Sequence, residues 1–515
     1  MSVFRRRTVM AERIRILVTS DLHGTLFPQD ELSGALHDAG LARIRTLVSY
    51  LRNDRTLLVD NGDAFCGAPL TSYHMSRYPD EIQPVTKLMQ EMKYDYINLG
   101  NHDFSCGTEA LMMHVQNVGA PCITGNLLFH GKPFGPTYAV RKIGEYKVVL
   151  FGVTSSFTAL TEPSRNLRHF QLKDAVACAR KAVSAIRRME NPDLVIGMYH
   201  GGFTTDPATG ASLKADAKEN EGNEILSIPG IDVLITGHQH LSLVGKQLDT
   251  TYVQTAANGQ EIAMIDIDPK TRECEARLLK ADVDADEEFL DPIRKEYEEC
   301  QNWLEEDLAH CSDDLTVAVP SEARMDPSGF ASLINHIQME TTGAQLSAYA
   351  FSDSCKGFPE VVKRRDLFRI ANPFGAFLVK KITGKVLREY LEKCAEFWTI
   401  KDTHIAQASR YETPKPLHGR YDMVSGVDYT IKVTNDIGER IVSLTYQGQP
   451  VEDDQEFTIC LNRYRAAGGG DFPMLKDLPA AGTYTRDLMH MCEEWFKDYP
   501  VLSRIQDATV ITLTK

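Results

Sequence analysis

The chain has 515 residues, which is too many for one hydrophobic core, so its length predicts two domains. Hydrophobic residues make up 43% and charged residues 25%, as in ordinary globular proteins. No stretch reaches the roughly 20 apolar residues of a membrane-spanning helix, and the net charge of −15 argues against a nucleic-acid polymer as the main partner. Any anionic substrate therefore needs a local source of positive charge.

The amino terminus and the cysteines together predict a cytoplasmic protein. The first residues include arginines but no apolar segment like that of a secretory signal peptide. Eleven cysteines form an odd set without a Cys-x-x-Cys pair, so we expect reduced and mostly buried thiols. We interpret Cys66 and Cys106, which lie near the motifs described below, as small buried hydrophobic residues. Nothing in the sequence indicates an oligomeric state.

The first half of the chain alternates apolar runs with helical patterns. Short runs rich in Val, Ile and Leu predict buried strands at residues 14–20, 56–60, 95–100, 147–153, 193–199 and 232–237. Helical patterns lie at residues 39–53 and 172–189. This alternation predicts an α/β fold with layers of helix and sheet.

The character of the sequence changes near residue 282. The charged segment 284–310 carries large apolar residues at roughly helical spacing: Phe289, Ile293, Tyr297 and Trp303. We predict one long helix that links two domains. The first domain then covers residues 1–282 and the helical linker residues 283–319.

The second domain is predicted to run from Pro320 to the end of the chain, residues 320–515. It begins with a helical pattern at residues 329–343. Strand patterns follow at residues 376–382 and 428–433, and a further helix begins near Gly384. The mixture predicts a smaller α/β unit.

Five of the apolar runs in the first half end in Asp, Asn or His. The residues concerned are Asp21, His23, Asp63, Asn101, His200, His238 and His240. In open α/β sheets the carboxyl ends of the strands form the ligand crevice, so these side chains are expected to converge.

Oxygen and imidazole ligands without cysteine suit a hydrolytic Mn, Zn, Fe or Mg site better than a structural zinc site. Seven candidates exceed the needs of one ion and suit two ions about 3.5–4 Å apart with a bridging carboxylate. A single Asp-x-His or His-x-His pair is a weak signal, because such histidines are more often hydrogen-bonded parts of a core. Recurrence after five strands argues against coincidence.

The clusters occur in the order D-x-H, G-D, G-N-H-D, H and G-H-x-H, which resembles the signature of the calcineurin-like metallophosphoesterases. Residues 372–392, 421–434 and 461–473 resemble the C-terminal domain of the 5′-nucleotidase family. The run NRYRAAGGG in the last of these is especially similar to the branch with the 2′,3′-cyclic-nucleotide 2′-phosphodiesterase/3′-nucleotidases. The resemblance implies a metallophosphoesterase β-sandwich flanked by helices and linked by the long helix to a smaller α/β domain.

The resemblance also implies roles, residue by residue. One ion would be held by Asp21, His23, Asp63 and His240, and the other by Asp63, Asn101, His200 and His238, with Asp63 bridging. The cofactors would be two divalent ions of Mn, Zn, Fe, Co or Mg. His102 would face the phosphate and stabilise the transition state or protonate the leaving oxygen, and we assign Asp103 to the catalytic pair with it.

The sequence departs from the family pattern at two places. The family usually reads G-N-H-E-F-D, in which the last Asp orients the histidine, whereas Ser105 stands here and Asp103 matches the Glu. The cyclic-nucleotide branch often has Asn at the position of Ser105, so this departure favours that branch. In residues 351–360 the family usually has an Asn-Gly-Gly-x-Arg run that contacts substrate, and its arginine is missing here.

Substrate residues carry over by motif from the C-terminal domain of the family. Two aromatic residues would enclose the base, Phe374 and Tyr464, although Tyr464 could also be a core residue. Gly468 and Gly469 would let the backbone approach the base or ribose, or would form only a flexible turn. Arg324 matches a substrate-binding arginine of the family, whereas we interpret Arg465 as a surface charge.

These observations predict a cytoplasmic nucleotide phosphohydrolase of the 5′-nucleotidase family, which releases phosphate from nucleoside phosphates with metal-activated water. One alternative is a 2′,3′-cyclic-nucleotide 2′-phosphodiesterase/3′-nucleotidase; the tyrosine motif favours it, and the missing signal peptide opposes it because that branch is often exported. An alternative of another class is a nucleotide-binding regulator without turnover, against which the complete ligand set argues.

Overall fold

The computed structural model describes residues 13–213, 218–326, 329–370, 375–412, 417–484, 486–506 and 509–515. The chain divides into two compact units between Gln301 and Asn302, inside the segment predicted as a linker. None of the described helices is long and apolar enough to span a bilayer.

The first unit is built on two large β-sheets. Sheet A has the strand order Cys274–Lys280, Glu261–Ile267, Ile14–Thr19, Thr56–Asp60, Tyr96–Ile97. Sheet B has the order Leu243–Gln247, Thr250–Gln254, Val233–Thr236, Leu194–His200, Tyr146–Thr154, Ala139–Ile143. The strands that precede the polar motifs run parallel to one another within each sheet, so their carboxyl ends lie at one edge.

The main core of this unit lies between the two sheets. Ile16 and Val59 of sheet A pack in one buried cluster with Leu150, Ile196 and Ile235 of sheet B. Burial on both faces explains why these strands read as continuous apolar runs rather than as alternating patterns. The six predicted strands and the α/β class are therefore confirmed, although the third strand is only Tyr96–Ile97.

Helices cover the sheets of the first unit. They span Leu41–Leu51, Pro69–Arg77, Pro84–Met92, Thr108–Asn117, Thr158–Thr161, Ala175–Met189, Gly222–Leu226 and Asp291–Leu304, with 3₁₀ turns at His102–Phe104 and Glu288–Leu290. The helix Ala175–Met189 begins where the Asp174 carboxylate accepts a hydrogen bond from Ala177 N at 2.7 Å. A small sheet joins Lys132–Pro133, Leu127–Phe129 and Phe170–Leu172.

The second unit is also a mixture of strands and helices. Its main sheet has the order Met423–Ser425, Leu346–Tyr349, Glu456–Asn462, Phe377–Thr383, Ala480–Tyr484, and a second sheet has the order Gln449–Pro450, Ile441–Tyr446, Asp428–Lys432, Ile511–Thr514. Smaller pairings join Val361–Lys363, Asp307–Cys311 and Val501–Leu502, then Leu315–Thr316 with Gly357–Phe358, and Trp398–Lys401 with His404–Gln407. Helices span Pro320–Met325, Phe330–Thr342, Arg364–Leu367, Gly384–Ala395, Arg463–Ala466 and Leu488–Asp498, and 3₁₀ turns lie at Ser409–Tyr411, His418–Arg420 and Pro473–Leu475.

The predicted long helix is wrong in its last part. The helix Asp291–Leu304 ends soon after Trp303, and Asp307–Cys311 forms a strand instead. This strand pairs with Val361–Lys363 and Val501–Leu502, which are distant in sequence. Pairing with remote strands overrides the local pattern, so periodicity alone could not reveal it.

The expectation of reduced thiols is wrong for Cys66 and Cys106, which form a disulfide with their Cα atoms 6.6 Å apart. The loops after the strands Thr56–Asp60 and Tyr96–Ile97 carry these residues and meet at the polar motifs. The remaining nine cysteines are not disulfide-bonded. The cytoplasmic location stays a prediction.

We expect Cys106→Ser to lower the free energy of unfolding by about 2–4 kcal/mol, because the cross-link restricts the unfolded chain. Urea unfolding would measure the loss, and a peptide map without reductant would show the two cysteine peptides joined. Cys178→Ser changes a free cysteine and is the matched control. Separate peptides in the unmodified protein, or equal stabilities of all three proteins, would contradict this assignment.

Candidate metal centre

The seven predicted ligands come together at the carboxyl ends of the parallel strands of sheets A and B. Candidate ligand atoms form two groups, each with its atoms within 4.8 Å of one another. The first group is Asp21, His23 and His240, and the second is Asp63, His200 and His238. Asn101 lies beside the second group through a contact of its amide oxygen with His238.

The backbone of this region is unusual. A positive φ between 49° and 71° occurs at five of the seven residues, Asp21, His23, Asp63, His238 and His240. Non-glycine residues rarely adopt this conformation, and such strain is concentrated at functional sites. The left-handed turns let side chains leave the strand ends in a direction that regular strands do not provide.

Two glycines are required by close backbone approach. A Cβ atom on Gly62, where φ is +100°, would lie 2.2 Å from Gly100 N. A Cβ atom on Gly100 would lie 2.1 Å from Asp63 Oδ1. Any larger residue at either position would separate the loops that carry Asp63 and Asn101.

The first group places three donor atoms around a common point. His23 Nε2 lies 3.0 Å from His240 Nε2 and 4.0 Å from Asp21 Oδ1, and His240 Nε2 lies 3.5 Å from the same oxygen. His23 Nδ1 lies 3.0 Å from the carbonyl oxygen of Cys66 and donates to it. The donated proton leaves the Nε2 lone pair of His23 free for a cation.

The second group is more deeply buried. His200 Nε2 faces Asp63 Oδ2 at 3.2 Å, and His200 Nδ1 donates to Asn61 O at 2.8 Å. Among the described residues, neither His200 Nε2 nor Asp63 Oδ2 has a partner with hydrogen-bond geometry. His238 Nδ1 and Asn101 Oδ1 lie 2.7 Å apart. Two buried donor atoms that lack hydrogen-bond partners among the described residues fit a bound divalent cation.

Asp63 is placed to serve both groups. Its Oδ2 lies 3.2 Å from His200 Nε2 of the second group and 4.0 Å from His23 Nε2 of the first. Its Oδ1 accepts a hydrogen bond from the backbone N–H of His102 at 2.7 Å, which fixes the carboxylate. A single oxygen that reaches both groups suits a bridging ligand.

The charges of the two groups are complementary to a cation. Burial raises the pKa of Asp21 and Asp63, but His200 and other nearby imidazoles outweigh burial and hold both pKa values below the usual range. Burial lowers the pKa of His200, yet the same two carboxylates raise it to about 10. The neighbouring imidazoles therefore favour the ionised form of both carboxyls, which is the form that binds a metal ion.

His102 lies outside both ligand groups. It begins the 3₁₀ turn His102–Phe104, and its ring packs edge-on against His23 with centroids 5.6 Å apart. Its Nδ1 lies 3.3 Å from Ser105 Oγ. Burial lowers the pKa of His102 to about 4, although the Asp63 carboxylate acts in the opposite direction.

Asp103 does not have the contacts of the catalytic residue that its motif predicts. Its carboxylate is buried and accepts backbone hydrogen bonds from Asp63 N, Ala64 N and Gly100 N at 2.8, 2.9 and 2.7 Å. Burial and the Asp63 carboxylate raise the pKa of Asp103 to about 6. Through these contacts Asp103 ties together the two loops that bear Asp63 and Asn101.

Glu219 was missed by the sequence motifs. Its Oε1 accepts from His238 Nε2 at 2.8 Å, which directs Nδ1 of the same ring toward Asn101 and the second group. A carboxylate on the outer nitrogen fixes the tautomer of a ligating histidine and raises its basicity. Glu219 lies in an irregular segment without a motif, so only the fold reveals it.

The glycine-rich motif of the second unit is organised around Tyr464. The Tyr464 side chain is 39% exposed, which excludes an ordinary core position. A Cβ atom on Gly469 would lie 2.6 Å from the Tyr464 ring, so Gly469 makes room for the ring. Gly468 has a φ of +89°, which favours glycine. Phe374, the second predicted aromatic residue, lies outside the described residues.

The two arginines that the sequence analysis discussed, Arg324 and Arg465, are both buried. Arg324 donates through Nη2 to Phe351 O at 2.9 Å, and its Nη1 lies 2.8 Å from Asp353 Oδ1. Asp353 occupies the segment in which the family has its anchoring arginine. Arg465 is not a surface charge, because it is 3% exposed and its Nε donates to Asp422 Oδ2 at 2.6 Å.

Comparisons with known proteins match the two halves of the chain to two family models. Residues 14–242 match the family model of calcineurin-like phosphoesterases, and residues 309–477 match that of the 5′-nucleotidase C-terminal domain. A 2′,3′-cyclic-nucleotide 2′-phosphodiesterase/3′-nucleotidase of Salmonella typhimurium is 25% identical over 88% of this chain and 81% of its own length. The solved structure of a candidate 5′-nucleotidase from Staphylococcus aureus, in complex with alpha-ketoglutarate, is 26% identical with a TM-score of 0.89, over 98% of this chain and 100% of that one.

Proposed function

The chain belongs to the calcineurin-like phosphoesterases that carry a 5′-nucleotidase C-terminal domain, and from this membership we propose that it hydrolyses nucleotides with two divalent metal ions. One observation carries the proposal of the metal centre. Asp63 Oδ2 and His200 Nε2 are buried and face each other without a hydrogen-bond partner among the described residues. Buried polar atoms nearly always have a hydrogen-bond partner, so two adjacent atoms without one support a bound ligand at this position.

The residues present fit two ions. Asp21, His23 and His240 would hold one, and His200, His238 and Asn101 the other, with Asp63 shared. Divalent ions supply Lewis acidity for the phosphoryl oxygens and a lowered pKa for water. They also provide positive charge in a chain whose net charge is −15.

His102 is the residue proposed to act on the substrate. Because Nδ1 contacts Ser105, Nε2 is the nitrogen that can take up a second proton and give it to the leaving oxygen. As the P–O bond to the nucleoside breaks and water adds to phosphorus, this proton would neutralise the leaving alkoxide. The backbone N–H of the same residue fixes Asp63, so one residue links the binding of metal to the position of the acid.

Nucleotides are the proposed substrate class because the second unit offers an aromatic ring on which a base can stack. Tyr464 is partly exposed, and its ring packs against Gly469. A ring held in this way suits stacking on a base. The second candidate is hydrolysis of 2′,3′-cyclic nucleotides followed by release of the 3′-phosphate. The similarity to the Salmonella protein over 88% of this chain favours that candidate.

A substrate panel tests the proposal. Metal-free protein would be supplied with Mn²⁺, Zn²⁺, Co²⁺ or Mg²⁺ and given 5′-, 3′- and 2′,3′-cyclic nucleotides, with release of phosphate and nucleoside as the measurement. We expect metal-dependent turnover of at least one class. Rapid conversion of the cyclic compounds would select the second candidate, and binding of nucleotides without turnover under every condition would indicate a regulator.

Tyr464→Ala should reduce kcat/KM for nucleotides by roughly 5- to 150-fold, because stacking on a base contributes about 1–3 kcal/mol. Purines and pyrimidines should be affected alike, since the contact is to the face of the ring. Hydrolysis of p-nitrophenyl phosphate, which has no base, should change much less. Steady-state kinetics on both substrates provide the measurement.

Tyr50→Ala removes an 80% exposed tyrosine of the first unit and is the matched control. It should change neither activity. Equal losses on both substrates in the Tyr464 variant would indicate damage to the fold, and no loss on either would reject stacking.

A further inference from the structure

Ser105 stands between His102 and a second carboxylate. His102 Nδ1 lies 3.3 Å from Ser105 Oγ, and Ser105 Oγ donates to Glu162 Oε1 at 2.8 Å. We propose that Glu162 positions His102 through the Ser105 hydroxyl. This relay replaces a carboxylate that would contact the imidazole directly. The proposal rests on the proposed function, in which His102 acts on the leaving oxygen.

Glu162 is held rigidly. It is 5% exposed, directly follows the helix Thr158–Thr161, and accepts on Oε2 from Asn166 Nδ2 at 3.0 Å. The same Asn166 nitrogen donates to the backbone oxygen of Ser105 at 3.0 Å. A buried carboxylate is costly unless it is hydrogen-bonded, and here both oxygens have donors. Asn166 thereby fixes the distance between Glu162 and Ser105.

The hydroxyl has a single proton, which determines the direction of the relay. Because Ser105 donates to the Glu162 carboxylate, its oxygen can only accept from His102. The neutral imidazole of His102 must then carry its proton on Nδ1, and Nε2 is directed away from the relay. The geometry thus selects one tautomer and one ring orientation, in which Nε2 can take up a second proton and give it to the leaving oxygen while Nδ1 keeps its own.

Glu162→Gln should reverse this direction. Asn166 Nδ2 has to donate to the Ser105 carbonyl and can donate its other proton only to an oxygen of residue 162. The introduced amide would therefore turn its oxygen toward Asn166 and its NH₂ group toward Ser105. Ser105 would accept from this group and donate to His102, which would move the imidazole proton to Nε2.

Histidine tautomers provide a test that requires neither metal nor activity. Long-range ¹H–¹⁵N spectra of ¹⁵N-histidine-labelled, metal-free protein at neutral pH would identify the protonated nitrogen of His102. The unmodified protein should show Nδ1–H, and Glu162→Gln should shift the ring toward Nε2–H. Glu109→Gln, at an exposed position of the neighbouring helix, is the matched control and should show no shift. The same tautomer in all three proteins would overturn the relay.

Kinetics with two leaving groups test the consequence. In Glu162→Gln the Ser105 hydroxyl donates to Nδ1 and so opposes the doubly protonated ring that acts as the acid. The variant should therefore lower kcat for a nucleoside 5′-phosphate by about 10- to 100-fold with little change in KM, a part of the roughly 10²–10⁴-fold typical of general acids. For p-nitrophenyl phosphate, whose leaving phenolate needs little protonation, kcat should fall by less than about threefold. Equal losses on both substrates, or a change in KM alone, would contradict the relay.

A second substitution at Ser105 distinguishes a positioning role of Glu162 from a role in stability. Ser105→Asp would give His102 a carboxylate directly, so adding Glu162→Gln to this variant should cost little further activity. A full loss from Glu162→Gln in both backgrounds would assign Glu162 to stability instead. If the unmodified protein hydrolyses no phosphoester, the proposed function fails, while the tautomer spectra still decide the relay.

Discussion

Asp63→Asn is expected to remove nearly all phosphoester hydrolysis and to lower the metal content of the purified protein. Asp63 Oδ2 is a buried oxygen that reaches both ligand groups, at 3.2 Å from His200 Nε2 and 4.0 Å from His23 Nε2. An amide lacks the charge and one lone-pair oxygen needed for bridging. Loss of several kcal/mol of charge stabilisation, about 4 kcal/mol for example, corresponds to roughly a 10³-fold decrease in turnover.

Plasma emission spectrometry and phosphate release would be measured on the same sample. Asp249→Asn, an exposed carboxylate in the turn after Leu243–Gln247, is the matched control and should keep both properties. Two full equivalents of metal with normal turnover in Asp63→Asn would contradict the shared-ligand assignment.

His102→Ala should keep both metals and lose most turnover on nucleotides. The side chain lies outside both ligand groups, and the backbone N–H that fixes Asp63 is retained in alanine. General acid or base groups contribute roughly 10²–10⁴-fold, so kcat for nucleotides should fall by about that factor. Metal analysis and steady-state kinetics together provide the measurement.

The control for this variant is His130→Ala, which changes an exposed histidine of the same unit and should leave kcat unchanged. The opposite pattern in His102→Ala, with one metal lost and nucleotide bound normally, would show that the roles of Asn101 and His102 are wrongly divided.

The main sheets and the polar strand ends could be predicted because their information is local. Residues 14–20 and 193–199 are apolar on both faces, as the burial of Ile14–Thr19 and Leu194–His200 requires. Polar residues at strand ends converge through a general property of parallel sheets, so the meeting of Asp21 with His200 follows from the pattern. The metal and substrate roles of these residues stay predictions for the variants above.

Other features depend on contacts between remote segments and could not be predicted. Glu162 reaches Ser105 across 57 residues, and neither belongs to a motif that names the other. Arg465 looks like a surface charge in its sequence, but its pairing with Asp422 depends on how the second unit closes. The Cys66–Cys106 disulfide likewise arises from two loops that meet only in the fold.

Anomalous diffraction from crystals grown with Mn²⁺ would locate the metal ions directly. We expect two peaks in the anomalous map, one bounded by Asp21, His23 and His240 and the other by His200, His238 and Asn101, with Asp63 bound to both ions. A single peak, or two peaks of which neither contacts Asp63, would contradict the proposed centre.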